Sequence, residues 1–228
     1  MAEDNLNFSN SYSAIQTSNM FSRVFLWMFL GLFATGLISW FTYSTGMAEQ
    51  MLMNSFFSVI LIVELLVVIV FSFLFRKLPP TVVAILFFIY AVVNGLTLST
   101  IYYIYDLTSI LYVLFASAIL FAVFAFLGSV LKKDLSKLGN IFMGVLIVAI
   151  IISIINIFLG YTIIDTIIDW VVLLVFFGIT AWDMQQIKHM SSITSIPEEK
   201  VHIYGAMMLY LDFINIFLRV LSIFGRRD

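Results

Sequence analysis

Long apolar runs separated by short polar breaks dominate the chain. Seven can be marked, near residues 24–43, 56–75, 81–103, 109–131, 140–159, 166–187 and 203–224. Each approaches the roughly 20 residues a helix needs to cross a hydrocarbon core of about 30 Å. The pattern predicts an all-α, polytopic membrane protein with seven transmembrane helices. Proline occurs only at 79, 80 and 197, in the breaks, so no span is expected to carry a proline kink. The breaks are short, which predicts a single seven-helix transmembrane domain over 23–228. A polar cytoplasmic tail over 1–22, expected to be mobile, precedes it. The first apolar run exceeds the 7–15-residue core of a signal peptide and is read as a true first span.

Basic residues set the expected orientation. Arg23, Arg76, Lys77, Lys132, Lys133, Lys137, Lys188 and Lys200 all fall in breaks on one side. The breaks after spans 1, 3 and 5 hold no Lys or Arg and carry Glu49, Asp106, Asp165 and Asp169 instead. Lys and Arg accumulate in cytoplasmic loops, so the N-terminus is expected in the cytoplasm and the protein in the cell (inner) membrane. Arg226 and Arg227 break this rule if the last run crosses fully. Residues 203–224 are long enough and show no central break, so a full crossing is the simpler expectation.

Composition agrees with the runs. Hydrophobic residues make up 63% of the 228 and charged residues 11%, with a mean hydropathy of +1.12. A soluble domain of this length needs more charge to cover its surface. The net charge of −2 gives no reason to expect nucleic acid. Cysteine is absent, which excludes disulfides and thiolate metal sites.

Against this apolar background, acids inside the spans stand out. Asp183 lies in WVVLLVFFGITAWDMQQIK and Asp212 in YGAMMLYLDFINIFLRVLSIFG. A carboxylate at mid-membrane depth costs on the order of 3 kcal/mol on lenient scales, so each must be sheltered, paired or protonated. They come from consecutive, antiparallel helices. If they meet, repulsion and desolvation favour a shared proton, and the pair titrates as a unit. Loss of that proton would push them apart and free hard oxygen ligands that suit Ca²⁺. The structural alternative is that both only hydrogen-bond neighbouring helices. Glu64, in the middle of span 2, is either a third acid on a cation path or a protonated structural carboxyl.

Other polar residues follow helical spacing. Asp212, Asn215 and Arg219 share one face of segment 7. Lipid offers such a face no partner, which predicts a central segment 7. Ala149, Ser153, Asn156 and Gly160 form a stripe on span 5 suited to close helix contact. Asn94 and Thr97 repeat that pattern on span 3. Arg76 is read as a topology charge or as a counter-ion to an aspartate. His189 and His202 flank a polar break and are read as solvated.

Enzyme signatures are missing: no H-E-x-x-H, Walker loop, G-x-S-x-G or G-x-G-x-x-G. An intramembrane aspartyl protease also needs two membrane aspartates, but Asp183 follows Ala181–Trp182 and Asp212 follows Tyr210–Leu211, not a G-x-G pattern. The expectation is therefore no enzyme and no resident cofactor.

Two motifs, WDMQQIKH at 182–189 and LYLDFINIFLRVLSIFG at 209–225, resemble the Bax inhibitor-1 (TMBIM) family in its bacterial form. KKDLSKLGN at 132–140, IINIF at 154–158 and NGLTLSTIY at 94–102 support the resemblance. It implies seven helices with the seventh surrounded by six, and a cytoplasmic N-terminus. It also implies a pH-sensitive Ca²⁺ leak gated by aspartates on helices six and seven, at Asp183 and Asp212. A latch arginine maps near Arg76 and the acid of helix two onto Glu64. The basic C-terminal tail of animal members is missing, which weakens any carry-over of their protein partners. Competing functions are a membrane interaction protein that modulates a membrane protease or a stress or cell-death pathway, and a proton-coupled cation antiporter. Expected partners are the lipid bilayer, Ca²⁺ and protons, with a membrane protein partner under the interaction reading.

Overall fold

The computed structural model describes residues 2–54, 56–75, 77–192 and 196–227, with side chains from residue 19 onward. Among the described residues eight α-helices follow one another: α1 Ala2–Ser44, α2 Met47–Met53, α3 Phe56–Leu74, α4 Pro80–Leu98, α5 Leu107–Val130, α6 Ser136–Leu159, α7 Thr162–Ser191 and α8 Glu198–Phe224. A 3₁₀ turn, Ser99–Tyr103, extends α4. No strand occurs among the described residues. Seven helices are long and apolar enough to cross a membrane, and they fall on the seven apolar runs. The protein is a multi-pass membrane protein.

The differences lie at helix ends. Helix α1 begins at Ala2, so the polar leader continues the first helix instead of forming irregular chain. No proline or glycine interrupts residues 2–30, and a helix already started propagates cheaply. Helix α2, with Ala48 and Met51 buried, is too short and mixed to register as an apolar run. Helix α8 starts at Glu198, not at residue 203, with acids in its first turn where the helix dipole favours them.

The chain forms two compact units. Unit 1 comprises Met1–Ser99 with Ile187–Met207, and unit 2 comprises Thr100–Gln186 with Met208–Asp228. In unit 1, α4 packs on α1 and α3. Small residues permit the approach. A Cβ at Gly95 would lie 2.8 Å from the Thr35 carbonyl oxygen and 2.9 Å from Ile38 Cβ. The Thr35 hydroxyl is shared between the carbonyls of Gly31 (3.0 Å) and Ala91 (2.9 Å), which ties α1 to α4. Tyr204 of α8 stacks on Phe75 at 3.8 Å and on Phe71 at 5.8 Å.

In unit 2, α5 meets α7 where Gly128 faces the Ala181 backbone with no room for a side chain. Phe124 and Phe177 stack beside that contact at 4.3 Å. Helix α6 turns back into α7 through Gly160, whose φ of +71° is left-handed backbone that suits glycine. Asn156 locks this hairpin. Its Nδ2 donates to the Tyr161 carbonyl (2.9 Å) and to Asp165 Oδ1 (2.7 Å), and its Oδ1 accepts from Tyr161 N–H (3.2 Å).

The end of α8 is tied to the start of α5. Asp106 N–H donates to the Arg226 carbonyl (3.1 Å), and Arg226 N–H donates to Ser109 Oγ (2.9 Å). The Arg227 guanidinium lies 5.9 Å from the Tyr105 ring. The last helix therefore finishes at the end of the spans where α5 begins. That is the geometry of a full crossing, which leaves Arg226 and Arg227 as the exception to the charge rule.

Candidate functional site: a buried aspartate pair

Asp183 on α7 and Asp212 on α8 meet in unit 2. Both are buried, at 6% and 2% exposure, and their carboxyl groups are near enough to act on each other electrostatically. The Thr180 hydroxyl also reaches Asp212. It is itself held by the Phe176 carbonyl at 2.8 Å. Thr180 precedes Asp183 by three positions and so shares its face of α7; that spacing is the sequence signal that could have found it. The second oxygen of Asp212, Oδ2, is buried without a hydrogen-bond partner among the described residues. An orphaned buried acceptor of this kind costs about 1–3 kcal/mol.

The WDMQQIKH segment positions this pair from both sides. Trp182 covers Gly139, at the start of α6, so closely that a Cβ there would overlap the indole. Its Nε1 is buried without a partner among the described residues. Gln185 closes the connection between α5 and α6. Its Nε2 donates to the carbonyls of Leu131 (3.1 Å) and Lys133 (2.9 Å), and its Oε1 accepts from Leu135 N–H (3.0 Å). WDMQQIKH and KKDLSKLGN are thus two halves of one contact. Neither Gln185 nor Trp182 was expected to act here, because their partners are backbone atoms and a glycine, which leave no charge or spacing pattern.

The remaining candidates take separate partners. Glu64 is held by α4 within unit 1: Asn94 Nδ2 (2.5 Å) and Tyr90 Oη (3.2 Å) donate to Oε1, and Thr97 Oγ1 donates to Oε2 (2.8 Å). Tyr90, Asn94 and Thr97 fall at i, i+4 and i+7, one face of α4. Asn215 bonds back to the Leu211 carbonyl of its own helix at 2.8 Å. Arg219 is paired with Asp169 at 2.5 Å, and Ser222 donates to the other oxygen of Asp169 at 2.5 Å. Asp169 was expected in a loop. It lies about two turns into α7, because that helix begins at Thr162, and it is buried. Arg76 lies outside the described residues, so its suggested latch role has no geometry here.

His202 corrects an expectation. It was read as solvated, yet it is only 4% exposed. The early start of α8 places it inside the helix, where Arg23 and the acids Glu198 and Glu199 act on it electrostatically. His189 is exposed, in keeping with the expectation.

No group of three or more His, Cys, Asp or Glu side chains able to hold a metal occurs among the described residues. The aspartate pair offers two carboxylates, whereas Ca²⁺ takes six to eight oxygens. Water and other oxygens would have to complete any coordination at Asp183 and Asp212.

The fold and its buried acids define a seven-span helical membrane protein with two buried aspartates on its last two helices. The family described as inhibitor of apoptosis-promoting Bax1 matches residues 17–228, and the chain belongs to that family. Inner membrane protein YbhL of Escherichia coli is 34% identical over 212 residues, covering 90% of this chain and 91% of that protein. A protein of Deinococcus radiodurans is 32% identical over 216 residues, with 93% of each chain covered. A membrane protein of Streptococcus pyogenes is 37% identical over 168 residues, with 73% of each covered.

Proposed function

We propose that the protein is a pH-sensitive calcium leak pathway gated by Asp183 and Asp212, and that it is not an enzyme. The observation that carries this reading is the burial of two mutually interacting carboxyl groups on separate helices. One proton lets them hold each other. Its loss leaves two negative charges in contact, in a setting of low dielectric where repulsion is strong. The protonated pair then corresponds to a closed pathway and the deprotonated pair to an open one. The orphaned Oδ2 of Asp212 supports the reading, since an unsatisfied oxygen is available to an entering cation. Glu64, held by three neutral donors, is a second acid that such a cation could use.

The segregation of Lys and Arg supports a cytoplasmic N-terminus. The full crossing of α8 then puts Arg226 and Arg227 outside.

Calcium flux into liposomes that contain only the purified chain, measured between pH 5 and 8, tests the proposal. Flux above empty liposomes, rising with pH, is the expected result. No flux at any pH favours a protein that acts by binding a membrane partner. Flux that appears only with an opposing proton gradient favours an antiporter.

A further inference from the structure

Unit 1 contains a cavity of about 390 Å³ lined by the middle of α1, the end of α7 and the start of α8. Arg23 of α1, Lys188 of α7 and His202 of α8 line it, and Glu198 is the one acid among its described lining residues. Neither Arg23 nor Lys188 forms an ion pair with a carboxylate among the described residues. Arg23 and Lys188 are exposed, so their charges are held there without burial cost, while His202 forms the buried floor. Two permanent cations and a histidine from three helices therefore face one cavity, with Glu198 in its lining and Glu199 acting on His202 among the described residues.

The rest of the lining narrows the ligand. Asn19 adds an amide. The hydroxyls of Ser191 and Ser192 are committed to the carbonyls of Lys188 and His189 at 2.7 Å each, and so leave the recognition to the nitrogens. Met20, Ile196 and Val201 supply an apolar wall, of which Met20 and Val201 are buried. Guanidinium and ammonium groups recognise phosphate oxygens through charge-assisted hydrogen bonds. Basic pockets between transmembrane helices on a positively charged side are suited to phosphate head groups.

We propose that this cavity binds the phosphate of an anionic ester, with Arg23, Lys188 and His202 as its ligands. A phosphate head group of a membrane lipid and a free phosphate share this chemistry. The apolar wall gives the lipid an additional contact. The proposal is independent of calcium conduction, since none of these residues belongs to the aspartate pair.

The test uses the full chain in phosphatidylcholine nanodiscs. Inorganic phosphate binding is measured by calorimetry, and phosphatidylglycerol retention by native mass spectrometry from mixed micelles. Wild-type protein should retain one phosphate-bearing anion. Arg23→Gln with Lys188→Gln should weaken that binding about tenfold, the equivalent of losing roughly 1.4 kcal/mol. Lys132→Gln with Lys133→Gln removes the same charge elsewhere and should change nothing. If the first double variant fails to fold, Lys188→Gln alone, at an exposed position, should still weaken binding severalfold. Retention of phosphatidylglycerol without phosphate binding assigns the site to a lipid head group. Phosphate binding without lipid retention assigns it to a soluble ester. Binding of neither, or equal losses in both double variants, overturns the proposal.

Discussion

Trp182 lies flat across Gly139, and the residue that follows it is Asp183. The glycine is thus a spacing element for the aspartate pair. A methyl group at 139 would displace a large, rigid indole, and overpacking of this kind costs about 1–3 kcal/mol. Gly139→Ala should lower the thermal unfolding temperature of the purified protein and shift the pH response of calcium flux in the same variant. A variant as stable as wild type, with an unchanged pH response, would show that the indole moves freely and positions nothing.

Asp183→Asn and Asp212→Asn should each flatten the pH dependence of calcium flux. The double change should add little, because both residues act as one unit. Asp106→Asn serves as the control. Asp106 caps α5 by accepting the Ser109 N–H at 3.0 Å, and Asn caps nearly as well as Asp, so neither fold nor flux should change. Intact pH profiles in both single variants, in folded protein, would return the aspartates to a purely structural role.

Glu64→Gln separates conduction from gating. It removes a charge while keeping one acceptor for the donors of α4. On a cation path, the size of the flux should fall while its pH midpoint stays where it is. A shifted midpoint would place Glu64 in the latch, and unchanged flux would leave it a structural acceptor.

Asn156→Ala should destabilise without touching conduction. It removes three hydrogen bonds that close the α6–α7 hairpin, each worth about 0.5–1.5 kcal/mol net. Thermal unfolding in detergent should register a clear loss, and the pH profile of flux should match wild type. A changed profile would mean the hairpin is coupled to the pair.

Cysteines at 49, 106 and 163 should label from outside intact cells. A cysteine appended after Asp228 should label from the same side as 106, since Arg226 is bonded to Asp106 and Ser109. Opposite accessibilities for 106 and the C-terminus would contradict the full crossing of α8.

The seven spans were legible because the membrane imposes one length and one composition on each. The two aspartates were legible because a charge is costly there. What stayed hidden follows from the same rule. Gln185 and Trp182 act on backbone and on a glycine, which carry no compositional mark. Asp169 and His202 sit near helix ends, where hydropathy fades before the helix stops. Each was assigned to a loop and found within a helix, and each gains burial that a loop would not give it. The pairing of Arg219 with Asp169 needed the register of two helices, which single-helix periodicity does not supply.

The absence of proline from the interior of every helix leaves α7 and α8 without a built-in hinge. Beyond the aspartate pair the two helices are joined again, by Arg219 and Ser222 on Asp169 and by the edge-on contact of Trp170 with Phe224 at 5.6 Å. Trp170 lies thirteen positions from Asp183, and Phe224 twelve from Asp212, about 20 Å along either helix at 1.5 Å per residue. Two stiff rods clasped at one end part like the blades of scissors. Over that length a relative tilt of about five degrees opens a gap of roughly 2 Å, enough to break a hydrogen bond between the two carboxyl groups. The outer clasp would then set how far the blades swing, and a looser clasp would give a pathway that closes poorly at any pH.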